Sequence, residues 1–309
     1  MEIHRNLKDI KLKKSVISIG TFDGMHCGHL KLIKHLNEIA KKYCLISVLL
    51  TFFPHPRIVL KKDKNLKFLS DLEEKIFLIK KKTKIEHLFI IEFTKEIYEM
   101  SALDFIKKIL LKKLNLKYLI LGPDHHFGKN REGSFENLLK FSKKLDFQME
   151  KISYFQKNNI KISSSKIRNL LLNGDIKTSN FYLNYDYFFS GKVIKGKQIG
   201  RKIGFPTANI SLENENKLIP KNGIYGVKVF YKNQFYDGML NIGHRPTLKE
   251  KNKIKTIEVN IFNFEKNIYN EKLTIFFKNW IREEKNFSSL EELKRQLFSD
   301  KKQILNISK

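Results

Sequence analysis

Two histidines, His26 and His29, stand three residues apart in a glycine-rich segment whose residue types suit phosphate chemistry. The segment 20–29 follows an apolar run at 16–19, which predicts a buried strand, and precedes residues 30–36, whose apolar positions recur with helical spacing. A helix start offers free N–H groups and partial positive charge to a phosphate, and imidazoles add donors near neutral pH. The segment predicts a nucleotide-phosphate site. A helix-capping turn with two surface histidines is the alternative.

A second glycine-rich stretch, residues 191–209, combines several lysines and an arginine with the run Pro206-Thr207-Ala208-Asn209. It lacks the spacing of a Walker loop, which excludes the usual P-loop fold. A glycine-rich arch with cations still suits phosphates, and a threonine hydroxyl can bind Mg²⁺. On its own residues, a β-turn with solvated lysines explains the stretch equally well.

Three shorter segments add candidate ligands in the first half. The prolines of residues 51–57 predict an extended loop and argue against a helix there, either for binding or as a stiff connector. Loop 122–133 is bounded by glycines, and its adjacent Asp124, His125 and His126 point in different directions, so we expect no zinc site. Residues 163–168 place hydroxyls at a helix start with Arg168 one turn later, as a second anion cradle or a simple cap.

The elements that must position these segments alternate between strands and helices up to residue 183. Strands are predicted at Val16–Ile19, Leu45–Leu50, Leu88–Ile91, Leu116–Leu121 and Phe147–Ile152. Helices are predicted near 30–42, 71–82, 101–113 and 135–144, with Ser70 and Ser101 as capping residues. This alternation predicts an α/β domain with a parallel sheet, in which ligands bind beyond the carboxyl ends of the strands.

Beyond residue 184 the pattern changes to strands separated by Gly, Pro and Asn. They are predicted at Tyr187–Ile194, Ile224–Tyr231, Gln234–Ile242, Lys255–Phe262 and Lys272–Trp280. A helix at Ser289–Leu297 follows, and a short helix at 175–183 joins the halves. We therefore predict a Rossmann-like domain over 1–183 and an antiparallel β-barrel with a C-terminal helix over 184–309.

Composition narrows the class of protein. The 309 residues favour two domains, and no apolar run is long enough to span a bilayer. Two cysteines and the absence of a signal-like apolar N-terminus predict a cytoplasmic protein without disulfides. The net charge of +28 comes from lysines spread along the whole chain, so we expect neither specific nucleic-acid binding nor a membrane partner.

The His26-x-Gly28-His29 turn resembles the signature of the nucleotidylyltransferase superfamily. Together with the Pro-His-Pro loop, the Gly122–Gly128 loop and the Ser-Ser-Ser-x-Ile-Arg helix start, it resembles the N-terminal domain of the prokaryotic bifunctional riboflavin kinase/FAD synthetases. Four positions depart from the family pattern: His125 replaces Phe, His126 replaces Arg, Pro123 replaces Asp and Ser165 replaces Thr. These departures concern contacts with flavin or adenine more than the reaction class.

The second half resembles the flavokinase domain of the same family. Gly204-Phe205-Pro206-Thr207-Ala208-Asn209 matches its Gly-x-Pro-Thr-Ala-Asn motif. Further matching segments are Gly223–Tyr225, Asn241–Gly243, Arg245–Thr247, Ile257–Val259 and Arg282–Phe287. The resemblance extends from about residue 15 to residue 298 and implies synthesis of FMN from riboflavin and then of FAD from FMN, with ATP as co-substrate and Mg²⁺ as cofactor.

The resemblance also implies a role for each matching residue. Catalytic roles fall to His26, His29 and Glu258. ATP and its phosphates are expected at Gly20, Phe22, Asp23, Gly28, Ser164, Arg168, Gly196, Lys197, Gly200, Arg201, Gly204, Pro206, Thr207 and Asn209. Flavin contacts are expected from His55, Asp124, Phe127, Arg131, Arg245 and Arg282, and Mg²⁺ ligands in Thr207 and Asn209.

Two other functions compete with this interpretation. One is adenylyl transfer to a different acceptor, such as phosphopantetheine or nicotinamide mononucleotide, against which the Pro-Thr-Ala-Asn barrel argues. The other is a basic nucleic-acid-binding protein, which would show clustered cations among exposed aromatic residues. We expect riboflavin, FMN, FAD and ATP as the partners of a monomer or weak homo-oligomer.

Overall fold

The computed structural model divides the chain into two compact units, Met1–Ser164 and Ser165–Lys309. It describes residues 1–8, 10–60, 66–196, 198–245 and 254–307, and the side chains of residues 131, 199, 202, 245 and 254 are outside that description. The units divide after Ser164, whereas the sequence pattern changes from alternating strands and helices to strands alone near residue 183. The predicted domain boundary after residue 183 therefore stays a prediction.

The first unit is built on a parallel sheet, as predicted. Its strands are β1 (Glu2–His4), β2 (Ser15–Ile19), β3 (Ile46–Phe53), β4 (His87–Glu92), β5 (Leu116–Leu121) and β6 (Gln148–Lys151), and a small hairpin adds β7 (Gln156–Lys157) and β8 (Ile160–Lys161). The sheet order is β1-β4-β3-β2-β5-β6. All five predicted strands are present. Strand β1 was not predicted, because three residues are too few to show a period.

Helices cover the sheet and bury its apolar side chains. They are α1 (Cys27–Lys42), α2 (Pro56–Val59), α3 (Leu72–Lys82), α4 (Lys95–Glu99), α5 (Ala102–Phe105), which continues as a π-helical stretch over Ile106–Leu111, and α6 (Phe135–Leu145); a 3₁₀ turn covers Lys129–Arg131. We predicted that the prolines exclude a helix from residues 51–57. This was wrong for the end of that segment. Pro56 occupies the first turn of α2, where a missing N–H costs nothing.

The cap of α3 lies one residue after the predicted one. Asp71 caps the helix in a capping box with Glu74, each side chain accepting the other residue's backbone N–H, at 2.8 Å and 3.0 Å. Ser70 does not cap the helix and makes a different contact, described below. At α5 the prediction was correct, since Ser101 accepts the N–H of Asp104 at 3.0 Å.

The second unit is a closed antiparallel barrel, and its described residues include three α-helices of eight residues or more. Those helices are α7 (Ser164–Leu172), α8 (Ile176–Leu183) and α10 (Leu290–Ile307), with a single turn, α9 (Ile199–Lys202), between strands. The strands are β9 (Phe188–Ile194), β10 (Ala208–Ser211), β11 (Gly223–Tyr231), β12 (Gln234–Arg245), β13 (Ile254–Ile261) and β14 (Lys272–Arg282). Their order, β10-β13-β12-β11-β14-β9, closes where β9 pairs with β10. Five of these strands were predicted, and the short β10 was not.

The C-terminal helix is longer than predicted and is tied to the barrel by a buried ion pair. Asp300 on α10, only 1 % exposed, accepts N–H groups from the Arg282 guanidinium on β14 at 2.7 to 3.1 Å. Gln296 donates to the same carboxylate at 2.9 Å. A bidentate ion pair of this kind fixes orientation as well as distance, so it defines the position of α10 against the barrel.

Candidate active sites

His26 and His29 lie together at the start of α1, directly beyond the carboxyl end of β2. Nδ1 of His26 accepts the backbone N–H of His29 at 3.4 Å, and the two rings stack with centroids 3.7 Å apart. Because Nδ1 accepts, a neutral His26 carries its proton on Nε2. The prediction that the two imidazoles lie at the start of a helix is confirmed.

Asp23 braces this turn against the segment that precedes α3. Its buried carboxylate accepts the backbone N–H groups of Leu69 at 3.2 Å and Ser70 at 3.0 Å. The Ser70 hydroxyl in turn accepts the N–H of Gly24 at 3.1 Å. Asp23 therefore positions the turn, while its expected contact with ATP stays a prediction. Ser70 was missed, because nothing in its local sequence indicates a partner 46 residues away.

Close packing favours glycine at two positions of the turn. Gly24 has φ +76, and a Cβ there would lie 2.6 Å from Cδ1 of Leu69. A Cβ on Gly28 would lie 3.1 Å from Cε1 of His26. Phe22 meets the His29 ring edge-on at 5.5 Å, and Gly20 faces the Phe22 ring. These contacts hold the two imidazoles in place.

Burial disfavours the positively charged forms of His29 and of the nearby Lys75. Burial lowers the pKa of His29 well below its usual value, and His26 and Lys75 lower it further. Burial also lowers the pKa of Lys75 on α3, although Asp23 and Asp71 oppose that shift. A polyphosphate placed here would favour the protonated form of each group. Lys75 was not predicted, since one lysine among many carries no signal in the sequence.

Ser164 is brought to the same turn, and Arg168 belongs to the other unit. The Ser164 hydroxyl, at the start of α7, donates to the backbone oxygen of Asp23 at 3.0 Å. This contact supports the predicted second cradle on the side of the first unit. Arg168 lies one turn later in α7 and is counted in the second unit, so its contact with phosphate stays a prediction.

The residues expected to contact flavin in the first unit are spread over two loops. His55 caps α2 and stacks on Phe68 with ring centroids 4.7 Å apart. Asp124 accepts a hydrogen bond from the Tyr154 hydroxyl and faces Lys161 at 3.8 Å. Phe127 is buried in the core of the sheet beside Phe105. The side chain of Arg131 lies outside the described residues.

The two histidines that depart from the family pattern differ in burial. Burial, with a contribution from His126, lowers the pKa of His125 to about 4. Nε2 of His125 is buried and makes no hydrogen bond within the described part of the chain. His126 is exposed. His125 therefore behaves as a neutral ring that replaces an apolar one.

In the barrel, strand register brings Thr207, Asn209 and Glu258 together. Asn209 on β10 is the direct partner of Glu258 on β13. Thr207, just before β10, donates its hydroxyl to Oε2 of Glu258 at 3.4 Å. Directly opposed residues point to the same face, so a hydroxyl, an amide and a carboxylate share one patch of surface. Thr207 is exposed, and the other two side chains are half-buried.

The glycine-rich arch of the second unit lies against these residues. A Cβ on Gly196 would overlap the side-chain amide of Asn209, and one on Gly200 would overlap the carbonyl oxygen of Phe205. Gly204 has φ +79, and the Pro206 carbonyl accepts a hydrogen bond from Asn260 at 2.7 Å. Arg201 is exposed on α9. Lys197 lies outside the described residues.

Of the two arginines expected to contact flavin in the second unit, only Arg282 has a described side chain. Arg282 is engaged by Asp300, and its remaining NH1 donates to the backbone oxygen of Glu283 at 2.9 Å. Its flavin contact stays a prediction. The backbone of Arg245 ends β12, while its side chain, together with Pro246 and Thr247, lies outside the described residues.

Two family models match the chain in succession. The model described as FAD synthetase matches residues 8–166, and the model described as riboflavin kinase matches residues 183–308. The chain belongs to the bifunctional riboflavin kinase/FMN adenylyltransferase family. A protein of that name from Buchnera aphidicola subsp. Schizaphis graminum is 41% identical over 96% of this chain and 94% of its own length. The one from Bacillus subtilis is 36% identical over 94% of this chain and 92% of its own.

A solved structure shows the same architecture along the whole chain. It is titled as a macrolide-efflux protein from Streptococcus pneumoniae and matches with a TM-score of 0.88, 30% identity and coverage of 99% of this chain and 98% of that one. That likeness concerns the fold, whereas the two family models assign the chain to its family segment by segment. In the described parts of this chain, every helix is too short or too polar to cross a membrane.

Proposed function

We propose that the barrel phosphorylates riboflavin to FMN with ATP, and that the first unit transfers AMP from a second ATP to FMN to give FAD. The observation that carries this proposal is the agreement between family models and sites. The FAD synthetase model covers the turn with His26 and His29, and the riboflavin kinase model covers the patch with Thr207, Asn209 and Glu258. Each half of the chain has its own family match and its own candidate phosphate site.

In the barrel, Glu258 is the base toward the 5′-hydroxyl of the ribityl chain. The hydroxyl oxygen attacks the γ-phosphorus of ATP, the bond to the bridging β–γ oxygen breaks, and ADP leaves. Glu258 accepts or orients the hydroxyl proton, and Thr207 and Asn209 hold the phosphates. Since such a transfer depends mainly on alignment and charge neutralisation, a rigid strand register is a suitable support.

The donor set of this patch fits Mg²⁺. The Thr207 hydroxyl, the Asn209 amide oxygen and the Glu258 carboxylate are oxygen donors, which Mg²⁺ prefers, and the register places them side by side. Thr207 and Asn209 would hold the ion. When bound, it neutralises charge on the transferred phosphate.

In the first unit, a phosphate oxygen of FMN attacks the α-phosphorus of ATP. The bond between the α-phosphorus and the α–β bridging oxygen breaks, and pyrophosphate leaves without a covalent enzyme intermediate. Nε2 of His26, the N–H groups at the start of α1, His29 and Ser164 stabilise the charge that develops on the phosphates. Gly20, Phe22 and Asp23 complete the expected ATP site of the first unit. A phosphate contact of Arg168, which is counted in the second unit, is expected from the family resemblance alone.

The remaining expected contacts would bind the substrates and take no part in a chemical step. His55, Asp124, Phe127 and Arg131 would contact FMN in the first unit, and Arg245 and Arg282 riboflavin in the second. Gly196, Lys197, Gly200, Arg201, Gly204 and Pro206 would cover the nucleotide in the barrel. We propose that the enzyme works in the cytoplasm as a monomer or weak homo-oligomer. The boundary between its adenylyltransferase and kinase domains is proposed to follow residue 183.

The decisive experiment supplies the purified chain with riboflavin and MgATP and separates the flavins by chromatography. We expect FMN first and FAD afterwards, with one pyrophosphate released per FAD. Supplying phosphopantetheine or nicotinamide mononucleotide instead should consume no ATP. Adenylylation of one of these acceptors without FAD formation would replace the proposal, and so would tight binding of duplex DNA at ~0.15 M salt without flavin turnover.

A further inference from the structure

Three possible metal ligands meet at the edge of the parallel sheet, on the pair of strands β1 and β4. Nε2 of His4 lies 3.0 Å from Nδ1 of His87. Oε2 of Glu2 lies 3.8 Å from the first of these nitrogens and 3.6 Å from the second. Within the described part of the chain, these side chains form a group with one ligand atom each, all within 4.8 Å of one another.

The strand register brings these side chains together. Glu2 is the direct partner of His87 in the parallel pairing of β1 with β4, and His4 stands two residues further along β1. Residues two apart on a strand share a face, so all three point to the same side of the sheet. The backbone N–H of Glu2 also donates to the carbonyl oxygen of Glu86 at 2.7 Å. The cluster is thus anchored at both strands.

The two rings are held, while the carboxylate can move. His4 stacks on Phe89 with centroids 4.3 Å apart and an interplanar angle of 12°. The side chains of His4 and His87 are 20% and 14% exposed, and that of Glu2 is 72% exposed. The two nitrogens supply the preorganised part of a metal site, and the exposed carboxylate has room to rotate toward an ion.

The distances agree with those between ligands of one metal ion. Bonds of about 2.0–2.1 Å to nitrogen imply nitrogens about 3.3 Å apart at a tetrahedral angle and about 2.9 Å apart at a right angle. The observed 3.0 Å lies in that range, and a small rotation of Glu2 would bring its oxygen closer. A hydrogen bond between the two imidazoles is the competing explanation for the short distance.

We propose that Glu2, His4 and His87 bind a divalent transition-metal ion, with Zn²⁺ as the probe. Two imidazole nitrogens and one carboxylate oxygen are a set that suits zinc, iron, nickel or copper better than Mg²⁺ or Ca²⁺. Water completes the coordination. The ion holds β1 to β4 and is separate from the proposed phosphate chemistry, which uses other residues.

The test measures Zn²⁺ and Co²⁺ binding to the full chain, produced without a histidine tag and treated with a chelator. Calorimetry in the presence of excess Mg²⁺ should give one site per chain, and Co²⁺ should give the visible absorption of a nitrogen- and oxygen-bound ion. Histidine nitrogen NMR should show that the resonances of His4 and His87 shift on adding Zn²⁺. No flavin or ATP is needed, so the result does not depend on the proposed function.

Four variants decide between a metal site and a hydrogen-bonded pair. His4→Ala, His87→Ala and Glu2→Gln should each weaken Zn²⁺ binding by at least about tenfold. Because Glu2 is mostly exposed, its variant also tests the site if a histidine variant fails to fold. His35→Ala is the matched control, since His35 lies in the same unit beside Glu38 and Glu150. Wild-type affinity no higher than that of His87→Ala, or an equal loss in His35→Ala, overturns the proposal.

Discussion

The two candidate phosphate sites are built in different ways. In the first unit, a turn after a parallel strand is closely packed, since a Cβ on Gly24 would lie 2.6 Å from Leu69, and its imidazoles stack with centroids 3.7 Å apart. In the barrel, two paired strands set the positions of a hydroxyl, an amide and a carboxylate, and those side chains are partly open to solvent. One site depends on tertiary packing around a turn and the other on strand register.

This difference indicates how each site should respond to change. A buried turn shifts the pKa values of its bases, as burial does for His29, so its chemistry is sensitive to charge. A site on paired strands keeps its backbone geometry when one side chain is changed. A substitution there should therefore remove the chemical role of that side chain and leave the fold of the barrel unchanged. Single substitutions in either unit should therefore separate the two reactions.

Glu258→Gln should have the largest effect. It keeps the shape of the side chain and removes the base, so riboflavin phosphorylation should fall by about 10²–10⁴-fold. Adenylylation of supplied FMN should stay within a factor of two. Steady-state rates with each flavin measure both, and Glu265→Gln, an exposed glutamate of the same unit, is the control. Full kinase activity in Glu258→Gln would remove Glu258 from the mechanism.

His29→Ala comes next and acts on the other reaction. Loss of one group that stabilises developing charge should lower FAD formation by about 10²–10³-fold while FMN formation continues. His35→Ala, on the same helix, should change neither rate. An FAD rate within threefold of the unaltered protein would contradict the assignment of the turn as the adenylyl site.

Fragments should show a smaller effect, on stability. Residues 165–309 and 184–309 should both phosphorylate riboflavin and make no FAD. The longer one keeps three hydrogen bonds. The Asn180 side chain donates to the carbonyl oxygen of Phe277 and accepts the N–H of Tyr187, both at 2.8 Å, and the N–H of Lys221 donates to the carbonyl oxygen of Leu171 at 3.0 Å. At about 1 kcal/mol each, these should make it about 3 kcal/mol more stable in urea unfolding. Equal stability would show that residues 165–183 do not stabilise the barrel, and FAD synthesis by either fragment would contradict an adenylyl domain that ends at residue 183.

The smallest effect is expected from His125→Phe and depends on pH. The unfolded chain takes up a proton on this ring near pH 6.5, whereas the folded chain does so only near pH 4. Stability is therefore lost as pH falls from 6.5 toward 4, by about 1–2 kcal/mol at pH 5 after allowing for partial exposure. The variant, which restores the family's usual Phe, should raise the thermal midpoint at pH 5 by a few degrees and change it less at pH 8. His126→Phe is the control, and the same gain at both pH values would refute the titration argument.

The sequence predicted the local features of the molecule better than the long-range ones. The five apolar strands and the His26 turn were visible because each carries its signal in a few consecutive residues. Strand β10 was missed, since four residues with one buried side chain have no clear alternation. Ser70 and Lys75 were missed as site residues because they meet the turn only through long-range folding, which joins the segment before α3 to Asp23 and Gly24. The pairing of Asn209 with Glu258 is likewise a property of register, which the spacing along the chain does not contain.

The barrel closes through strands that are far apart in the chain. Strand β9 begins at Phe188, and one of its two partners, β14, ends at Arg282. During synthesis, therefore, the barrel cannot close until most of the chain has been made, whereas the parallel sheet is complete by residue 151. At about 5–20 residues per second, the nascent chain has several seconds in which its first unit can fold while β9 still lacks β14. We expect a ribosome-bound chain to acquire the adenylyl site before the kinase site, the reverse of the order in which the two reactions use the flavin.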